Sequence, residues 1–268
     1  RQMCIRDRYV CGPIIFQAAK AGVPTLIHES NSYPGVTSKF LSNKVDVLCI
    51  SYKEARKYFK HKENIIVTGN PVRTNFSSKY TNEDLKKLAI KKDRPVVFSF
   101  GGSNGSYAMN KAVKEMANSL NGDFYLLHQT GKKNYDDFIS DLYQSPYLRI
   151  FPYIDNIDLF YAVSDLVIAS SGAMSLAEIS SVEKPSILIP KAYTTENHQQ
   201  HNAQTYVDNG ASMMILEKDL NGKLLYDNII SIIKNNDRLI EMGEASSKLS
   251  NDGASDAIFE LIVDLTAR

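Results

Sequence analysis

Two stretches of this 268-residue chain set glycines and serines at the start of a helix, as anion binding requires. The first is SFGGSNGS, Ser99 to Ser106, which follows an apolar strand. Gly101, Gly102 and Gly105 let backbone N–H groups approach an anion with no Cβ in the way, and Ser103 can donate a hydroxyl. The helix that follows brings about half a positive charge to its start. The second stretch, SSGAMSLAEI, repeats the design: Ser170, Ser171 and Gly172 precede a helix, and Glu178 lies about two turns in. A carboxylate there can accept both hydroxyls of a ribose; it can equally be a solvated helix residue. Each loop alone also reads as a tight strand-to-helix turn. Together, in one sheet, they point to a nucleoside diphosphate, with Glu178 on its ribose. Neither is a Walker loop, which needs Gly-Lys-Ser/Thr, nor the full dinucleotide fingerprint.

Three further loops carry chemistry-bearing residues. YTTENHQQHNA, Tyr193 to Ala203, is polar and runs into a helix. Gln199 and Gln200 both give and accept hydrogen bonds, which suits sugar hydroxyls. His198, His201 and Glu196 raise the question of zinc, but their spacing fits no standard motif, so no metal site is expected. LIHESNSYPG ends a strand in His28, Glu29 and Asn31. A histidine in that place reads as a structural hydrogen-bonding group. TGNPVR ends in Arg73, either a surface arginine or a cation reaching a ligand on the other domain.

Short β-rich runs alternating with helical patterns must position these loops. VPTLIHE, VDVLCIS and NIIVTG read as three buried strands, separated by PIIFQAAKAG (with Pro13 in its first turn), PGVTSKFLSN and YKEARKYF, all read as helical. NPVRTNFSSKYTNEDLKKLAIKKDR is polar and strandless, and reads as a linker with a helix near Thr81 to Ala89. Roughly six more strands then alternate with helices before a helical tail, as parallel βαβ units do. The expected division is a first domain over 1–75, completed by a terminal helix at about 245–268, a linker over 76–94 and a second domain over 95–244. In such open sheets a ligand sits at the carboxyl ends of the strands.

The bulk composition excludes much. Lys+Arg (31) and Asp+Glu (30) nearly cancel, so no global field attracts nucleic acid. Cys4, Cys11 and Cys49 are too few and scattered for a disulfide framework, which favours a reducing compartment. No apolar run approaches the roughly 20 residues that span a bilayer. Arg1 to Arg8 fit no pattern, and YVCGP reads as a strand end, as though sequence were missing upstream.

Eight motifs in register, YVCGP, HESN, GNPVR, GGSNG, HQTGK, YID, SSGAMSLAEI and HQQHNA, resemble the MurG family of bacterial peptidoglycan synthesis over residues 9 to 268. The resemblance implies an α/β glycosyltransferase-B fold, two doubly wound Rossmann-like domains of which the N-terminal one is truncated. It implies a hexosyltransferase that moves GlcNAc from UDP-GlcNAc to the muramyl 4-hydroxyl of lipid I (undecaprenyl-diphospho-MurNAc-pentapeptide), giving lipid II with inversion. That step serves cell wall biogenesis, cell shape and division, at the cytoplasmic face of the membrane, as a peripheral enzyme needing no metal or cofactor. By resemblance, Glu178 holds the ribose, Ser103 and the Gly172 turn the diphosphate, and Ile154 the uracil through its backbone. Arg73 contacts the nucleotide, Gln199 and Gln200 the GlcNAc hydroxyls, and Asn31 lies on the acceptor side. The family's opening Gly-rich loop with its histidine, the candidate base, has no counterpart here, and Asp7-Arg8 stand where Gly-Gly is usual. Transfer by this chain is therefore expected to be weakened. The alternatives are another UDP-sugar enzyme of the same fold, a UDP-GlcNAc 2-epimerase or glycolipid synthase, or a non-catalytic nucleotide-binding remnant.

Overall fold

The computed structural model describes residues 8–73 and 79–267. Residues 1–7 of the unexplained opening, Asp7 among them, and 74–78 of the expected linker lie outside that description. The chain divides into two compact units, Arg1–Val72 with Asn251–Arg268, and Arg73–Ser250.

The first unit opens with α1 (Arg8–Lys20), followed by β1 (Leu26–Glu29), α2 (Val36–Leu41), β2 (Val47–Ile50), a 3-10 turn (Lys53–Tyr58) and β3 (Ile65–Val67). The strands are parallel in the order β1-β2-β3, with Leu26 opposite Val47 and Leu48 opposite Ile65. Leu41, Leu48, Ile50, Ala55, Phe59 and Ile65 form the core. YVCGP lies in α1 rather than at a strand end, so Pro13 falls inside the helix instead of in its first turn. Proline fixes a helical φ but has no N–H, so α1 forgoes one backbone bond there. The YKEARKY segment closes as a 3-10 turn, Phe59 N donating to Arg56 O at 3.3 Å, not as an α-helix.

The second unit begins with α3 (Asn82–Lys87), held by a capping box between Thr81 and Asp84. This stretch is not a free linker: Leu85, Leu88 and Ile90 are buried with Val96 and Phe98. Apolar residues at helical spacing inside a polar segment were the missed signal. Then come β4 (Val96–Phe100), α4 (Tyr107–Ala117), β5 (Tyr125–Gln129), α5 (Tyr135–Ile139), β6 (Leu148–Phe151), α6 (Ile157–Val163), β7 (Leu166–Ala169), α7 (Ala173–Ser181), β8 (Ser186–Leu188), α8 (His198–Asp208), β9 (Ser212–Met214), α9 (Gly222–Ile233) and α10 (Asn236–Ser247). The second unit thus runs past residue 244, and α11 (Ala254–Thr266) is the helix that belongs to the first unit.

All six strands of the second unit are parallel, in the order β6-β5-β4-β7-β8-β9. A parallel sheet covered on both faces favours strands that are largely apolar, and β4, β5, β7 and β8 are buried at every position. Alternate residues feed two cores. Val97, Leu126, Leu166 and Ile168 meet α4 and α9 through Met109, Val113, Ile229 and Ile232. Phe98, Phe100, Leu127 and Val167 meet α6 and α7 through Phe160, Tyr161 and Ile179.

One polar chain crosses this apolar interior. His128 on β5 pairs in register with Ser99 on β4 and is fully buried. Its Nδ1 lies 3.0 Å from Ser99 Oγ and its Nε2 3.1 Å from Asn110 Oδ1, while Asn110 Nδ2 donates to Thr130 O at 3.1 Å. Asn110 therefore presents its oxygen to the ring, so Nε2 carries the proton and Nδ1 accepts from the serine. Burial pushes the His128 pKa down from 6.5 to about 3, so the ring is neutral at pH 7.

This arrangement predicts a pH-dependent stability. Below about 6.5 the unfolded imidazole takes up a proton that the folded one refuses until about 3. Stability should fall as pH falls through that window, by about 1.4 kcal/mol per pH unit from this group alone. Chemical denaturation between pH 7 and 5 should show this slope in the native chain and a shallower one in His128→Gln. Identical slopes would mean that His128 titrates normally in the fold.

Candidate functional site at the strand-order reversal

β4 is bonded to β5 on one side and to β7 on the other. The order therefore reverses at β4, and its successor α4 packs on one face of the sheet while α7 packs on the other. The loops after β4 and β7 diverge and leave a crevice at their carboxyl ends, where open α/β sheets bind ligands. These are the two glycine- and serine-bearing loops.

The loop after β4 is shaped by close approaches that exclude side chains. A Cβ on Gly101 would lie 2.3 Å from Ser106 N, and one on Gly105 1.9 Å from Thr130 O. Gly102 and Gly105 also hold φ of +81° and +73°, in the left-handed region. Ser106 Oγ caps α4, accepting from Met109 N at 3.3 Å, while Ser103 stays exposed. The loop after β7 differs. Gly172 precedes α7 with no side-chain cap. Ser171 Oγ donates to Gln199 O at 2.7 Å, and Ser170 Oγ is buried with no hydrogen-bond partner among the described residues. The first N–H groups of α7 are thus left for another acceptor.

Glu178 is half-buried, not a solvated helix residue. The hydroxyl of fully buried Tyr161, on α6, donates to its Oε2 at 3.2 Å. Loss of water raises the Glu178 pKa; the Tyr161 hydrogen bond and the positive charge of Arg73 oppose that rise, and Asp158 adds to it. Arg73, exposed at the edge of the described residues, thus acts on Glu178 within the same unit. Ile154 is buried, and its N–H donates to Gln129 Oε1 at 2.8 Å. Gln129 Nε2 donates in turn to Gly102 O at 3.1 Å, tying the loops after β4 and β6 together.

Gln199 and Gln200 do not act as a pair. Gln199 is half-buried and its Oε1 accepts from Lys191 N at 3.0 Å, while Gln200 is exposed. Neighbouring positions on a helix do not face one another, so they address different surroundings. His198 Nε2 lies 3.5 Å from Glu196, and among the described residues no group of three or more His, Cys, Asp or Glu could hold a metal ion. Asn31 lies in the first unit and is buried there. Its N and Nδ2 both donate to Glu29 Oε1 at 3.0 Å, and Glu29 also accepts from Gly35 N and Ser38 Oγ, so the HESN loop is built around one buried carboxylate. His28 bonds Gly69 O at 2.9 Å, the structural role expected of it.

Residues 96–258 match the model of the glycosyltransferase family 28 C-terminal domain, and residues 5–50 that of the family's N-terminal domain. A Finegoldia magna protein is 47% identical over 247 residues, 90% of this chain and 67% of that one. An Acetivibrio thermocellus protein is 41% identical over 96% of this chain and 71% of its own length. Both are named UDP-N-acetylglucosamine--N-acetylmuramyl-(pentapeptide) pyrophosphoryl-undecaprenol N-acetylglucosamine transferase. The chain belongs to the MurG family, within glycosyltransferase family 28. A crystal structure of Acinetobacter baumannii MurG aligns with a TM-score of 0.76 at 24% identity, over 96% of this chain and 71% of that one. Anabaena HepE in complex with UDP aligns at 0.63 and 13% identity, over 96% and 77%. At such identities the likeness concerns the fold, which is that of the glycosyltransferase-B neighbours. The family 28 C-terminal match takes in both loops at the reversal, Ile154, Glu178 and the glutamines, so the crevice lies wholly within the family's C-terminal domain.

Proposed function

We propose that this chain is a UDP-GlcNAc-dependent hexosyltransferase that moves GlcNAc to the muramyl 4-hydroxyl of lipid I, forming lipid II in peptidoglycan synthesis. The observation that carries the nucleotide part is the pair of loops at the β4/β7 reversal with half-buried Glu178 beside them. Gly101, Gly102, Gly105 and Ser103 take one side of the diphosphate, and Ser171, Gly172 and the uncapped start of α7 the other. Glu178, held by Tyr161, accepts the ribose hydroxyls. Ile154 meets the uracil through its carbonyl, because Gln129 already holds its N–H. Arg73 balances the charge of Glu178. Of the two glutamines, Gln199 is the better placed for GlcNAc, since it lies between the β7 loop and the end of β8. Asn31 belongs to the acceptor side.

In this reading the acceptor hydroxyl oxygen bonds to C1 of GlcNAc as the bond from C1 to the β-phosphate oxygen breaks. The electron pair leaves with UDP, the hydroxyl proton goes to a base, and the configuration at C1 inverts. We assign no base among the described residues. Charge developing on the leaving diphosphate meets helix starts and backbone N–H groups, so the scheme invokes no metal or cofactor.

The acceptor is a membrane lipid, and the first unit has a face suited to one. Ile14, Val36 and Phe40 are 58%, 62% and 54% exposed on α1 and α2. Lys44 lies 5.3 Å from the Phe40 ring centroid and Lys20 4.7 Å from that of Phe16, so cations rim an apolar patch. Such a surface rests its apolar side chains at the headgroup boundary and its lysines on acidic lipid. Among the described residues no helix is long and apolar enough to cross a membrane. Peripheral attachment at the cytoplasmic face is the proposal.

Labelled UDP-GlcNAc and a lipid I analogue test the activity: label should enter the lipid product, and acceptor-free epimerisation or transfer to diacylglycerol would overturn the reading. Sedimentation with vesicles tests the surface. Vesicles rich in acidic phospholipid should carry the native chain down and Ile14→Asp/Phe40→Asp several-fold less, with the difference shrinking in neutral vesicles. Equal sedimentation of both proteins would remove this face from membrane docking.

A further inference from the structure

Lys191 lies just past β8, two strands away from β4 in the sheet order. Neighbouring parallel strands lie about 4.8 Å apart, so β8 and β4 are separated by roughly 10 Å, with the carboxyl end of β7 between them. Lys191 bridges much of that gap: its Nζ donates to Gly105 O, in the loop after β4, at 3.0 Å. Its backbone is fixed at the other end, where Lys191 N donates to Gln199 Oε1 and Ile189 N to Ala169 O at 2.8 Å. The ammonium is thereby carried across the mouth of the crevice between the two loops.

Among the described residues no carboxylate pairs directly with this ammonium: Lys191 is half-buried, and none lies within 4.0 Å of Nζ. Nearby Glu217 is committed elsewhere, Oε2 accepting from Ala192 N and Oε1 from Ser106 Oγ. A neutral carbonyl compensates poorly for partial removal of an ammonium from water. On the same rim the start of α7 lacks a side-chain cap and the buried Ser170 hydroxyl lacks a partner. The ammonium and the uncapped start of α7 therefore both favour an anion.

We infer that Lys191 is a diphosphate-binding residue: held beside the loop after β4 by its contact with Gly105 O, its ammonium pairs with the phosphates of the nucleotide. The inference rests on the nucleotide reading of the crevice. It goes further in naming a side chain that brings a full positive charge to the diphosphate and in locating it just past β8, outside both glycine- and serine-bearing loops. Lysine serves such a role as a mobile point charge rather than a fixed fork.

Calorimetry with UDP, UMP and uridine on the native chain, Lys191→Met, Lys191→Gln and Lys191→Arg separates charge from scaffolding. Glutamine keeps a donor for Gly105 O but removes the charge, so it also serves if the methionine variant folds poorly. A charge-assisted contact predicts that Met and Gln weaken UDP binding by about tenfold or more, UMP less and uridine not at all, with Arg retaining most of the affinity. The native chain's UDP affinity should also fall more steeply with salt than that of Lys191→Gln. Equal weakening of all three ligands, or unchanged UDP affinity in Lys191→Gln, would overturn the inference. Failure of the native chain to bind UDP would refute the crevice reading itself.

Discussion

The second unit is organised by one constraint, the position of β4 with a parallel neighbour on each side. β5 extends the sheet one way and β7 the other, so the chain must cross to the opposite face between them. Two consequences follow. The loops after β4 and β7 part instead of covering each other, and both helix starts point their N–H groups toward the gap. A crevice with positive potential is thus a product of topology before any side chain is chosen. The glycines are then a local requirement: the turn after β4 passes so close to Ser106 and Thr130 that no Cβ fits at Gly101 or Gly105.

The groups beneath and around the crevice keep its field simple. His128, directly under the loop after β4, is neutral at pH 7 and spends its two ring nitrogens on Ser99 and Asn110. Tyr161 stays protonated, its pKa raised by burial and by Glu178, and donates its hydroxyl to that carboxylate. Gln129 adds no charge while joining the loops after β4 and β6. Among the charged side chains at the rim, Glu178 suits hydroxyls and Lys191 suits phosphate, with Arg73 acting on Glu178. Neutral interior networks therefore give rigidity, and the few ionised side chains set what binds where.

Much of this was legible in the chain because the relevant signals are local. Short, mostly apolar runs rich in Val, Ile and Leu marked the strands, and a glycine or serine cluster after a strand marked each loop. Glu178 was legible by its distance from Gly172, but its hydrogen bond to Tyr161, 17 positions away, was not. Gln129 and Lys191 escaped notice for the same reason: each sits at a strand end whose neighbours in space come from other strands. Pro13 was misplaced because an N-terminal helical position and an interior one share the same φ. The polar stretch around Leu85 looked like a linker because three buried residues are a weak signal among so many charges. Ile154 lies three residues past β6 with its N–H already taken by Gln129, a partner 25 positions away that the sequence does not show.

The account stands or falls on whether the reversal at β4 holds a ribonucleoside diphosphate with Glu178 on its ribose. Calorimetry of UDP and 2′-deoxy-UDP binding to the native chain and to Glu178→Ala tests this most directly. Each charge-assisted bond to a hydroxyl is worth roughly 1.5–3 kcal/mol, so the substitution should weaken UDP at least about tenfold and 2′-deoxy-UDP distinctly less. Equal losses for the two ligands, or no UDP binding by the native chain, would contradict it.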